Sequence, residues 1–181
     1  LLAREPQGYH PSLMQRKLRV LGVIAEASGA VGMVGGQAID LSEVGGAAAG
    51  TPMSLTPDAL RDMHARKTGA LIRASVSAGA IMAGADDRLF AALDQYGTEI
   101  GLAFQIVDDI LDESASSAEL GKTAGKDRAA GKPTYPALFG MERSRQLAAE
   151  CRTTARAALE RAGLLDSRLA DIADWIIGRH S

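Results

Sequence analysis

The residues with the clearest chemistry lie in one stretch, Gly101–Asp112, GLAFQIVDDILD. Wound at about 100° per residue, it gathers Gln105, Asp108, Asp109, Asp112 and Gly101 into a sector about 100° wide. Leu102, Ala103, Phe104, Ile106, Val107, Ile110 and Leu111 fill the opposite arc, while Asp94 and Thr98 project into the polar sector from upstream. A solvated surface helix shows a wider polar face than this. Carboxylates at adjacent and i,i+4 positions repel, and half-buried ones need a cation to stay charged. A few hard oxygen ligands on a rigid helix suit Mg²⁺ shared with substrate phosphates. The competing reading is a solvated acidic stripe.

Two cationic features bear on that seam. Lys67 shares a helical face with Leu60, Leu71 and Ala74, and Thr68 follows it. A lysine on an inward stripe either snorkels or is held by an anion. Beside a carboxylate-rich seam, a bound phosphate explains both, because it attracts Mg²⁺ and ammonium together. Downstream, Glu113–Lys132 carries Lys122, Lys126, Arg128 and Lys132 spaced by Gly121, Gly125 and Gly131, the pattern of a flexible lid closing on phosphates. A plain solvated loop is the alternative. His64 reads as a surface or hydrogen-bonded histidine, not a catalyst. For Gln37 and Asp40 a capping or interhelical role and a ligand-site role both stand.

The elements that must position these groups are helical. Of the 181 residues 46% are hydrophobic but only 4% aromatic, which favours helices packed through small side chains. A net charge of −2 gives no basic excess for nucleic acid. The single Cys151 cannot form an internal disulfide and fits a reducing compartment as an inert helix residue. No apolar run approaches the length of a membrane-spanning helix and no signal peptide is visible, so a cytoplasmic soluble protein is expected. The chain opens Leu1-Leu2-Ala3-Arg4-Glu5, without Met, and reads as the continuation of something cut upstream.

In order, a loop over Pro6–Pro11 leads into helical periodicity over Ser12–Leu41. Its Gly29, Gly32, Gly35 and Gly36 each cost about 1 kcal/mol in a helix, so a close helix contact or a bend is expected there. A Gly/Ala-rich loop spans Ser42–Ser54. Thr56-Pro57-Asp58 then starts a helix that is expected to run to about Ala83. After the turn Gly84–Asp87, with Asp87 as cap or first-turn acid, the central helix runs from about Arg88 to Asp112. Pro133–Pro136 starts further helices over Ala137–Ala162 and Ser167–Arg179, separated by Gly163, with Trp175, Ile172, Ile176 and Ile177 as core. No strand-like alternation is present.

At FQIVDDILD, followed by LGKTAGKDRAAGKPTYPAL, the sequence resembles the trans-isoprenyl diphosphate synthases, the polyprenyl synthetase family, in their bacterial farnesyl diphosphate synthase branch. GMVGGQAIDL and HARKTGALIRASV resemble two further blocks of that family, in its order. The resemblance implies an all-α antiparallel helical bundle around a central cavity, usually homodimeric, with 1–181 the C-terminal portion of a single domain. It implies a prenyltransferase: Mg²⁺ on an allylic diphosphate assists ionisation of the allylic C–O bond, and isopentenyl diphosphate attacks the carbocation.

By the same resemblance Asp108, Asp109 and Asp112 form the second aspartate-rich motif, with Asp108 a direct Mg²⁺ ligand and Asp127 acting through water. Lys67, Thr68, Gln105, Lys122 and Lys132 match positions around the allylic diphosphate, and Lys126 shares their loop. The family's first aspartate-rich motif and its isopentenyl diphosphate segment have no counterpart in these residues. Asp86-Asp87, at a turn before Arg88-Leu89-Phe90, does not replace the first motif. The chain alone is therefore expected to be inactive. The alternatives are a synthase-like partner or truncated fragment without turnover, and a class I terpene cyclase. The KT pair and the DDxxD form of the motif favour the synthases.

Overall fold

In the computed structural model, residues 4, 6–8, 10–48, 55–118 and 133–179 are described, and no strand occurs among them. The elements are α1 (Pro11–Ser28), α2 (Met33–Ala48), α3 (Pro57–His64), a π-helical turn (Ala65–Gly69), α4 (Ala70–Ala83), α5 (Asp87–Ala118), α6 (Tyr135–Phe139), α7 (Met141–Arg161) and α8 (Arg168–Ile177). The all-α expectation is met.

Local sequence sets most boundaries. Thr56 Oγ1 accepts from the Ala59 amide at 3.2 Å, with Pro57 at the first helical position and Asp58 in the first turn. Gly84, at φ 75°, ends α4: its amide bonds Ile81 O, and the Ala85 amide reaches back to Ala80 O. The cap of α5 is Asp86, whose Oδ1 accepts from the Leu89 amide at 2.8 Å, while Asp87 is the acid of the first turn.

Five expected boundaries are corrected. Helix α2 continues to Ala48, so the first seven residues of the expected Ser42–Ser54 loop are helical, and residues 49–54 lie outside the described ones. The run over Ser12–Leu41 is two helices, because the chain turns through Gly29–Gly32; a Cβ on Gly32 would overlap the Ala27 carbonyl. The helix expected to run to Ala83 is interrupted by the π-turn. The central helix continues past Asp112 to Ala118, since Glu, Ser and Ala carry no helix breaker. Ala137–Ala162 is divided at Gly140, whose φ of 80° breaks α6 from α7.

The core sits where α5 packs against α4 on one side and α7 on the other. Leu60, Met63, Tyr96, Ile106 and Leu159 are fully buried, and Ala103, Ala155, Ala158 and Ala173 have no exposed surface. These alanines let the helices approach closely, as the low aromatic content implied. Burying a side chain the size of Leu60 contributes roughly 1.5–3 kcal/mol. Tyr96 closes α8 onto this core by donating to Leu169 O at 2.7 Å, and burial pushes its phenol up to about 12. Ile176 is buried, but Trp175 is 64% exposed and Ile172 is also exposed, so only part of the expected α8 cluster is core. The Arg179 guanidinium, 4.3 Å from the Phe104 ring, stacks between α8 and α5.

Against the expectation that no apolar run approaches spanning length, one stretch, Pro11–Glu43, is by length and composition apolar enough to cross a membrane, an 18-residue window of it reaching a mean hydropathy of 1.4. Its break at Gly29–Gly32 makes it two helices, and Lys17 and Asp40 within it are buried.

Candidate functional site

Alternating burial along α5 divides the polar seam. Gln105 and Asp109 are buried, Asp112 is half-buried, and Asp108 alone is exposed. Asp109 Oδ2 accepts the Tyr135 amide at 2.9 Å. That amide opens α6, where a helix has no internal acceptor and a carboxylate is favoured. Asp109 thereby ties the helix of the acidic seam to the residues that follow Pro133. The three aspartates of the motif have separate environments, one turned inward and one outward.

The Lys67–Thr68 pair stands on the π-turn, a feature rare in helices and frequent at functional sites. Two glycines explain how this turn is held. A Cβ on Gly36 of α2 would collide with the backbone of Arg66 and Lys67, and one on Gly101 of α5 would stand 2.8 Å from Gly69 Cα. The π-turn is therefore wedged between α2 and α5. Gly101 begins the same stripe of α5 that continues through Gln105, Asp108 and Asp112, so the lysine turn and the seam meet on one side of that helix. Thr68 is half-buried. Lys67 Nζ donates to Asp40 Oδ2 at 2.7 Å.

The upstream end of the polar sector does other work. Asp94 accepts both Nε and Nη2 of Arg73, at 2.6 and 2.7 Å, and the hydrogen bond to Asp94 is the main reason the Arg73 guanidinium is raised. Thr98 Oγ1 donates to the Asp94 carbonyl within its own helix. Beside this pair a groove of about 350 Å³ lies between α1, α4 and α5, and one of about 400 Å³ is lined by Arg61, Arg66 and Arg73. His64 is buried, with its ring 5.7 Å from that of Tyr135. Cys151 is buried too, and desolvation, with Glu99 beside it, pushes its thiol up to about 12. That agrees with an inert residue.

Lys122, Lys126, Asp127 and Lys132 lie outside the described residues. Among the described residues no three acidic, histidine or cysteine side chains converge into a group that could hold a metal alone. The exposed Asp108 carboxylate, with Asp112 one turn on, still fits Mg²⁺, which binds through one or two carboxylates and takes its other ligands from phosphate and water.

The sequence left Asp40 ambiguous and gave no sign of the π-turn. Gly36 was the available signal, because a glycine inside a helix marks a close approach. The Tyr135 amide carries no side-chain signal at all.

Comparison with known proteins agrees with the all-α fold. The profile of the family described as Polyprenyl synthetase matches residues 8–167. Over 168 residues the chain is 45% identical to the farnesyl diphosphate synthase of Escherichia coli K12, covering 91% of this chain and 54% of that protein. It is 46% identical over 158 residues to the chloroplastic geranylfarnesyl diphosphate synthase of Leucosceptrum canum, covering 87% and 42% respectively. Among solved structures, the FPP/GFPP synthase of Zymomonas mobilis matches with a TM-score of 0.73 at 32% identity, over 98% of this chain and 55% of that one. The polyprenyl synthase of Caulobacter crescentus, complexed with calcium and isoprenyl diphosphate, matches with a TM-score of 0.76 at 26% identity, over 93% and 62%. The chain spans about half the length of the relatives it matches. By profile, identity and fold, it belongs to the polyprenyl synthetase family.

Proposed function

We propose that this chain supplies the diphosphate-binding side of a short-chain prenyltransferase, which joins an allylic diphosphate to isopentenyl diphosphate and yields a farnesyl or geranylgeranyl diphosphate. The observation that carries the reading is the wedged π-turn. It fixes Lys67 and Thr68 against the stripe of α5 on which Asp108 is the exposed carboxylate.

In this reading the Lys67 ammonium and the Thr68 hydroxyl bind oxygens of the allylic diphosphate, and Gln105 orients it from within the helix. Asp108, with Asp112 one turn on, would hold Mg²⁺, whose charge would offset that developing on the departing diphosphate. The allylic C–O bond breaks with its electron pair going to the diphosphate. The double bond of isopentenyl diphosphate then attacks the allylic carbon, and loss of a proton restores neutrality at the new chain. Lysines already in place stabilise the leaving charge without reorganising. Lys122 and Lys132 add to that cradle and Asp127 acts through water, on the strength of the family motif alone.

Residues 1–181 are read as one domain, the C-terminal portion of the synthase fold. Exposed Leu18, Leu21, Val34 and Leu41 on α1 and α2 support a homodimer. A cytoplasmic location goes with the same reading.

The test is thermal stability with Mg²⁺ and inorganic diphosphate, singly and together. A joint rise in Tm above the sum of the separate rises supports a shared site. Additive or absent shifts overturn it.

A further inference from the structure

We propose that Asp40 is a positioning residue for the diphosphate-binding lysine, acting through Lys67 and not on the substrate. The inference rests on the synthase reading above, which assigns Asp40 no role.

Lys67 Nζ and Asp40 Oδ2 are 2.7 Å apart across 27 residues of sequence, joining the π-turn to α2. The Asp40 side chain is 9% exposed and that of Lys67 is 29% exposed. The carboxylate is thus the more deeply buried member of the pair. Among the described residues Asp40 has no second ion-pair partner. An ammonium has three donors, so one contact with Asp40 leaves two for phosphate oxygens.

Helix α2 holds this lysine at both ends. Gly36 presses on the Lys67 backbone, and Asp40, one turn further along the same face, holds Nζ. Only the four-carbon stem between them is left to choose its rotamers, and a lysine stem loses much entropy when it is fixed. Having it fixed before the diphosphate arrives lowers the cost of binding and sets the geometry. Removing Asp40 also removes a negative charge, which by itself favours an anion. The proposal holds that the lost placement outweighs that gain.

The experiment is calorimetric titration of inorganic diphosphate at saturating Mg²⁺ into four proteins: the unaltered chain, Asp40→Asn, Lys67→Met, and the double variant. Lys67→Met is expected to weaken affinity by about 10-fold or more and Asp40→Asn by about 3- to 10-fold. In the Lys67→Met background, Asp40→Asn is expected to weaken binding no further, the lost negative charge acting only to tighten it. A purely structural role for Asp40 would persist in that background, and persistence overturns the proposal. Unchanged or tighter binding by Asp40→Asn, with Lys67→Met still weakened, overturns the positioning role and leaves the synthase reading standing. No effect of Lys67→Met, or no binding by the unaltered chain, overturns the synthase reading and the inference with it. If Asp40→Asn unfolds, Asp40→Glu replaces it. That variant keeps the charge but moves it by one methylene, and it carries the same expectations.

Discussion

The Tyr135 amide and the Asp109 carboxylate, 26 residues apart in sequence, meet at 2.9 Å in a buried hydrogen bond that fastens the start of α6 to the acidic seam of α5. Asp109→Ala leaves that amide buried without its acceptor, which costs roughly 1–3 kcal/mol. Asp109→Asn keeps an acceptor oxygen and is expected to cost less. Urea unfolding of the two variants against the unaltered chain checks the order; equal losses would mean that the charge and not the acceptor matters.

Asp108 has no such structural duty, being the exposed member of the motif. Asp108→Ala is expected to leave stability within about 0.5 kcal/mol and helicity intact. The joint effect of Mg²⁺ and diphosphate on Tm should disappear. Circular dichroism and a melting series measure both, and a retained joint shift would remove Asp108 from the metal site.

The glycines that wedge the π-turn admit no side chain. Gly36→Ala forces a methyl into the backbone of Lys67, and Gly101→Ala forces one against Gly69. Each is expected to cost about 1–3 kcal/mol as overpacking. Each should also weaken diphosphate binding, because the turn that carries Lys67 and Thr68 must shift. An alanine at Gly79, inside α4 where a Cβ would meet nothing within 4 Å, is the control: it should gain up to about 1 kcal/mol of stability and leave diphosphate binding unchanged.

Two of the three tyrosines, Tyr96 and Tyr135, have phenols pushed up to about 12, chiefly by burial. Their folded pKa values exceed the unfolded value of about 10. Stability therefore does not depend on these groups below about pH 10 and falls as pH rises from there toward 12, where the unfolded chain ionises first. A titration of tyrosinate absorbance alongside ellipticity is expected to show these two phenols ionising together with unfolding. Ionisation well before unfolding would contradict their burial.

Cys151 should behave in the same sense. With its thiol pushed up to about 12 it stays protonated near neutral pH, and a thiol-alkylating reagent should label it only in denaturant. Rapid labelling of the native chain would place Cys151 outside the α5–α7 interface.

Much of this was legible in the chain itself. The narrow seam of Gln105, Asp108, Asp109 and Asp112 follows from helical period alone, and the caps at Thr56 and Gly84 follow from residue type. Such features depend on a residue and its near neighbours, so local sequence suffices. The ends of long helices were less legible: Gly140 split a run that periodicity joined, and α5 outran its motif by six residues to Ala118. Periodicity records which face is buried, but it does not mark where a helix stops.

By itself, then, the sequence determined the helical class, the acidic seam and the lysine–threonine pair, because these are written in composition and spacing. Only the tertiary structure decided that Asp109 turns inward to Tyr135 while Asp108 faces out, that Lys67 stands on a π-turn, and that Asp40 holds it. Each of those contacts joins residues at least 26 positions apart or depends on backbone pressed between two helices. Such juxtapositions come from packing, and no local pattern encodes them.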